Sequence, residues 1–397
     1  MNMAKIFLMA FLAWNALAAA HAQVPTTTFL RCYYYTPSAQ YPVQSYYEWG
    51  LAGAGAYYKL PGYWRNADAG QNMFYTAVAP QTLAEVCRST LAVTGRMHDA
   101  HLYSAADAKA SYDYAIWTND PRDQGEAVNK VIVFGDSLSD TGNLSSATGW
   151  FIPNRDSWAV GHFSNGPIWS ETLAKLLHVP VYTWAVGGAY VGGAPRPLAT
   201  QINSWLLYMG SAENYKPANT QFLLWMGAND IMGNEPAGEA VARLEEGLTR
   251  LLEAGARHIL VLNLPDISRT PRYQPGGNPP IAAQVREFNR LLDQVLERLR
   301  GKYPFPHRIL RLDAHALFND LMDNKEKFGV RNTTEACLRV PDMPSAYSSS
   351  WNMRPQCQAD RMAWAFWDLV HPTTEVHKHI GTAAYACVMT YPAKKDC

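Results

Sequence analysis

The chain has 397 residues, long enough for one large domain and a smaller one. Hydrophobic residues make up 48% and charged residues only 17%, which supplies a sizeable core and excludes a globally disordered chain. Lys+Arg and Asp+Glu are equal at 34 each, so no net field draws the protein towards nucleic acid.

Residues 1–22 read as a secretory signal peptide. Lys5 gives a positive start, residues 6–20 are apolar apart from Asn15, and Ala20-His21-Ala22 has the A-x-A form of a cleavage site. The apolar run is shorter than the roughly 20 residues a membrane-spanning helix needs. A secreted, extracellular protein is expected, with the periplasm as transit or alternative. An oxidising compartment favours disulfides, and the six cysteines contain no C-x-x-C pair for zinc or redox chemistry. Proximity in sequence favours Cys32–Cys87, Cys337–Cys357 and Cys387–Cys397 among the possible pairings.

Residues 23–124 form the expected N-terminal domain. Tyr33-Tyr34-Tyr35, Tyr46-Tyr47, Trp49, Tyr57-Tyr58, Tyr63 and Trp64 crowd a stretch punctuated by Gly50, Gly53, Gly55 and Gly62. Short strands joined by turns follow, with a helix over 80–94 where Leu83, Val86, Leu91 and Val93 share a face. Tyr and Trp suit membrane interfaces and sugar surfaces, and they also fill small β cores. The polar, turn-rich segment 118–125 marks the boundary to a second domain, 125–397.

Beyond it, apolar runs at 131–134, 179–182, 222–226, 259–264 and 309–312 alternate with helical patterns. Val241, Leu244, Leu248, Leu251 and Leu252 form one helical stripe; Val285, Phe288, Leu292, Val295 and Leu299 form another. Strand runs separated by amphipathic helices predict an α/β fold, a parallel sheet covered on both faces, with ligands beyond the carboxyl ends of its strands.

Polar blocks stand where these runs end: Gly135-Asp136-Ser137-Leu138, Gly187-Gly188, Gly227-Ala228-Asn229-Asp230 and, near the C-terminus, Asp368-Leu369-Val370-His371. A serine hydroxyl becomes a nucleophile when a neighbouring imidazole takes its proton, and His371 suits that role beside Ser137. Asp368 can orient that imidazole and stabilise its charged form. The N–H groups of Ser137 and Gly188 and the Asn229 amide are candidate oxyanion donors. An imidazole must be neutral to act as base, so activity is expected to fall below about pH 6.5. Each block alone has a plainer reading as turn, helix cap or surface loop; their joint occurrence in this order carries the inference.

These blocks resemble the four signature blocks of the GDSL/SGNH hydrolases. The resemblance spans about residues 128–390, and residues 134–143 and 163–169 are similar to its lipolytic branch. The aromatic N-terminal region and the overall length resemble the thermolabile (lecithin-dependent) haemolysins, secreted bacterial phospholipases. The resemblance implies a three-layer α/β/α SGNH-hydrolase fold, a Ser137–His371–Asp368 triad and an oxyanion hole from Ser137, Gly188 and Asn229. Two departures stand out. Thr183 occupies a position where many members have Asn, whose hydrogen bonds must be replaced. Some haemolysin-like members lack the triad acid, whereas this chain has Asp368. Ser139 stands where Gly-x-Ser-x-Gly requires glycine, against the α/β-hydrolase elbow.

The aromatic and Met-rich segment 319–362, with Trp150, Phe151 and Trp158, reads equally as an acyl-binding lid or as packing against the sheet. The expected substrate is a phospholipid, lysophospholipid or other acyl ester met at a peripheral membrane surface. Carbohydrate or short-chain esters, or acyl transfer, are the alternatives on the same triad, and an adhesive or membrane-binding module is the alternative outside catalysis. No cofactor is called for. His315, His377 and His379 lack a metal-ligating context, because residues two apart do not share a helix face.

Overall fold

The computed structural model describes residues 27–36, 43, 45–66, 72–96, 102–107, 115–118, 127–193, 196–209, 215–391 and 395–397. The expected signal peptide at 1–22 and most of the boundary segment, 119–125, lie outside them. Among the described residues no helix is long and apolar enough to cross a membrane.

The N-terminal region is mainly β. Strand β1 (Thr28–Tyr35) pairs antiparallel with β2 (Ser45–Trp49). A short hairpin follows, β3 (Leu51–Ala52) and β4 (Ala56–Tyr57). A second sheet joins β5 (Tyr63–Asn66), β6 (Asn72–Thr76) and, beyond helix α1 (Pro80–Val93) and β7 (Leu102–Asp107), β8 (Ala115–Thr118). Strand β7 closes the first sheet on the other side of β1. Pro80 starts α1 where its missing N–H costs nothing, and the helix buries Leu83, Cys87 and Leu91. Cys87 is disulfide-bonded to Cys32 of β1, within a core that includes Leu30, Leu60 and Phe74.

The larger region is a three-layer α/β/α structure. Its elements run β9 (Lys130–Gly135), α2 (Asn143–Ala147), α3 (Trp169–Leu177), β10 (Val181–Thr183), α4 (Leu198–Met209), β11 (Thr220–Trp225), α5 (Ala228–Met232), α6 (Ala237–Glu253), β12 (His258–Leu262), α7 (Pro279–Lys302), β13 (Arg308–Leu312), α8 (Ala314–Asp323), β14 (Asn332–Ala336), α9 (Pro355–Ala359), β15 (Trp364–Phe366) and α10 (Thr374–Thr390). The main sheet has the order β10-β9-β11-β12-β13, and every pair in it is parallel. Alternate residues face opposite layers. Ile132, Phe134, Phe222, Leu224, Ile259 and Val261 meet the apolar faces of α4, α6 and α7. Val131, Val133, Leu223, Trp225, Leu260 and Leu262 meet α3, α8 and α10. Burial on both faces is why the strands read as continuous apolar runs.

Strand β10 begins later than its apolar run suggests. His178 ends α3 in the left-handed region, and Val179 N–H still bonds to the Ala174 carbonyl of that helix. Pro180 follows, so pairing starts at Val181. At the opposite edge, residues 395–397 lie beside β13: Arg311 N–H donates to Lys395 O, and Cys397 N–H to Arg311 O. The Cys387–Cys397 disulfide ties that tail to α10.

Trp117 of β8 stacks on Tyr182 of β10 at 4.2 Å, and both belong to the core beneath the main sheet. The N-terminal region is therefore packed against the sheet edge beside β9. Trp117→Ala is expected to cost about 3–5 kcal/mol, read as a fall in the denaturant midpoint of the whole chain. An unchanged midpoint would mean that the two regions are energetically independent.

Candidate active site

Strand β9 lies between β10 and β11, and the chain leaves it first to one side and then to the other. The crevice beyond its carboxyl end is thus the switch point of the sheet. Ser137 follows β9, Gly188 follows β10 and Asn229 opens α5 after β11. The turn after β9 is close-packed: a Cβ on Gly135 would sit 2.6 Å from the Trp225 carbonyl oxygen. Gln201 of α4 grips the same residue, accepting from Gly135 N–H at 3.0 Å and donating to Gly135 O at 2.8 Å.

Ser137 Oγ lies 2.7 Å from His371 Nε2. His371 Nδ1 lies 2.9 and 2.8 Å from the two oxygens of Asp368. The Asp368 carboxylate also accepts the backbone N–H groups of Val370 and His371 and the indole N–H of Trp158 at 2.9 Å. Burial by itself would raise this carboxyl; the His371 imidazole, the Val370 N–H and the Trp158 indole overcome it and hold Asp368 below the usual carboxylate value. Tyr347 places its hydroxyl 3.3 Å from His371 Nδ1, and burial together with Asp368 pushes its phenol well above 10, so it stays neutral.

The loop bearing His371 is clamped from the segment after α2. Ser164 Oγ donates to Pro372 O, Asn165 Oδ1 accepts from Thr374 N–H, and the Phe163 ring lies 5.1 Å from the His371 ring. Phe163 also decides which glycine needs to be small. A Cβ on Gly187 would lie 2.5 Å from that ring, whereas Gly188 has open space and a φ of +73°. The Gly188 position thus needs glycine for backbone conformation, and Gly187 needs it for space against the Phe163 ring.

Two buried aspartates fix the loop around Gly188. Asp140 accepts from the N–H groups of Gly142, Asn143, Leu144 and Gly187 at 2.6–3.0 Å. Asp230 accepts from Val191 N–H at 2.9 Å. Asn229 Nδ2 donates to Ala189 O at 2.9 Å, so the third strand-end block touches the second directly; its amide carries a second hydrogen. Thr183 bonds through its hydroxyl to Ser139 O and Ala185 N–H, while Asn143 donates to the Thr183 and Ala185 carbonyls.

The aromatic segment 319–362 divides. Trp158, Met353, Trp364 and Trp367 are buried around the Cys337–Cys357 disulfide, with Tyr347 and Trp351 packed against them. Phe151, Met343 and Met362 are exposed. The three histidines are dispersed: His315 bonds to Asn319, His379 to the Phe328 carbonyl, and burial pushes His377 down to about 3. Among the described residues no cluster of His, Cys, Asp and Glu could hold a metal ion.

Residues 131–384 match the family described as GDSL-like lipase/acylhydrolase. The chain belongs to this family. It is a carboxylic ester hydrolase. Residues 10–119 match the N-terminal domain described for the Vibrio dual lipase/transferase. The chain is 36% identical to the thermolabile hemolysin of Vibrio parahaemolyticus over 366 residues, 89% of this chain and 86% of that protein. It is 26% identical to the phosphatidylcholine-sterol acyltransferase of Aeromonas hydrophila over 311 residues, 66% of this chain and 90% of that one. A GDSL esterase/lipase of Arabidopsis thaliana is 24% identical over 314 residues, 64% and 85% of the two chains. The three disulfides fit an extracellular protein.

Burial pushes Asp136, beside Ser137, up to about 7. The folded chain then keeps a proton that the unfolded chain releases near pH 4, so the cost of this carboxylate grows between about pH 4 and 7 and is complete above. Asp136→Asn keeps an acceptor for Leu138 N–H, which lies 3.0 Å from Asp136 Oδ1. Its thermal midpoint should match the parent near pH 4 and exceed it at pH 8; equal midpoints at both would contradict a buried charge.

Proposed function

We propose that the protein hydrolyses acyl ester bonds of phospholipids and lysophospholipids, with Ser137 as nucleophile, His371 as general base and Asp368 as the acid behind it. The observation that carries this reading is the continuous hydrogen-bond chain from Ser137 Oγ through His371 to Asp368. Ser137 Oγ attacks the ester carbonyl carbon as Nε2 takes its proton. The Ser137 and Gly188 N–H groups and the Asn229 amide receive the oxyanion. The lyso-lipid alcohol leaves with the proton from Nε2, and water then releases the fatty acid by the same steps. The substrate class rests on the similarity to the two bacterial relatives, whose names record haemolysis and phosphatidylcholine chemistry.

A second reading of the same site is acyl transfer, favoured by the match of residues 10–119 to a dual lipase/transferase domain. There an alcohol replaces water at the acyl-enzyme. We read the chain as a secreted protein of two domains, 23–124 and 125–397, following a signal peptide at 1–22, and working at a peripheral membrane surface. Exposed Phe151 and Met343 support that last role, because Asn154 N–H bonds to Tyr347 O and brings their segments together near His371.

Ser137→Ala is expected to lower kcat by roughly 10³-fold or more with the fold intact. Fatty acid release from phosphatidylcholine, followed by mass spectrometry, measures it; undiminished hydrolysis rules out this nucleophile. Adding a sterol or other alcohol acceptor should divert product from free acid to new ester in proportion to acceptor concentration. Free acid alone at every concentration would dismiss the transfer reading.

A further inference from the structure

The short turn Pro271–Tyr273 holds a cation at the rim of the site. Arg272 N–H donates to Leu369 O at 3.0 Å, which fixes the turn to the loop bearing Asp368 and His371. The guanidinium reaches the other side of the crevice, where Nη1 lies 3.9 Å from Met232 Sδ on α5, the helix that Asn229 opens. Its charge acts on the buried Tyr347 phenol, itself 3.3 Å from His371 Nδ1, and opposes part of the rise that burial and Asp368 impose on that group. Among the described residues its one ion pair, Nε to Asp342 at 3.3 Å, is exposed on both sides, with 38% and 54% of the two side chains accessible. An exposed pair of this kind contributes little and leaves most of the five guanidinium N–H groups available.

We infer that Arg272 binds the phosphodiester of the substrate and is the residue that favours phospholipids over neutral esters. The inference rests on the phospholipid reading of the site. In a glycerophospholipid the phosphate is only a few bonds from the scissile ester, so an ester held between Ser137 and Asn229 brings its phosphate to the crevice rim. A guanidinium fork matches two phosphate oxygens, and such charge-assisted bonds are stronger than those to neutral acceptors. Asp342 is then a competing anion that the phosphate displaces.

The test compares dihexanoyl phosphatidylcholine with p-nitrophenyl butyrate, both as monomers in solution so that no lipid surface contributes. Arg272→Gln should lower kcat/KM for the phospholipid roughly 10- to 100-fold, chiefly through KM, and leave the nitrophenyl ester within about twofold. That ester also reports on folding. Asp342→Asn should keep or raise phospholipid turnover. Equal losses on both esters in Arg272→Gln, or a phospholipid-specific loss in Asp342→Asn matching that of Arg272→Gln, would make the pair a structural latch and overturn the inference. A parent enzyme inactive on every phospholipid would remove the phospholipid reading and this inference together. A parent active on phosphatidylcholine with an equally active Arg272→Gln would overturn the inference alone.

Discussion

One buried carboxylate joins the parts of the site. Asp140 accepts three N–H groups at the start of α2 and a fourth from Gly187 after β10. Two strand ends are thereby held as one body, and the turn carrying Ser137 cannot shift relative to the Gly188 loop without baring a charge in a dry interior. Burial raises the Asp140 carboxyl above its usual value despite those four donors, so the solvation it gave up exceeds what the N–H groups return. Asp230 extends the arrangement to a third strand end by holding Val191. The site is thus assembled by backbone amides converging on aspartates, and the reacting side chains sit on the frame that results.

The frame is rigid for a second reason. The His371 loop is not part of the main sheet; it hangs from β15 and is fixed by Trp158, Ser164 and Asn165, residues that sit more than 200 positions away in sequence. Trp158 reaches Asp368 through its indole N–H while its rings fill the core around the Cys337–Cys357 disulfide. The side chain that tightens the acid also packs the segment next to it.

The layered architecture was legible in the sequence because strands buried on both faces appear as unbroken apolar runs and the helices as stripes. Ser137, Gly188, Asn229, Asp368 and His371 were legible as candidates because each falls in a short block at a strand end. Strand β10 was displaced in that reading, since a left-handed residue and a proline intervene after the apolar run has begun. The roles of Gln201, Trp158, Tyr347 and Asp230 were not legible. Each acts across the fold, as Gln201 does on Gly135 at a separation of 66 residues, and periodicity carries no information about such pairs. The aromatic segment 319–362 was ambiguous for a related reason: burial and exposure alternate there without a regular repeat, so Met353 in the core and Met362 at the surface have the same local signature.

The C-terminal tail has a consequence of a different kind. A five-stranded open sheet has two edges, and an outer strand with unused hydrogen-bonding groups is a template for another chain. One edge is β10, whose three residues offer little length to pair with. The other is β13, where residues 395–397 run alongside Arg311 and are anchored by Cys387–Cys397. That disulfide fastens the tail across β13, the outer strand whose free side it helps to cover. Reduction would leave the tail held only by its backbone bonds to Arg311 and the ion pairs of Asp396 with Arg300 and Arg311, and so loosen the cover over that edge.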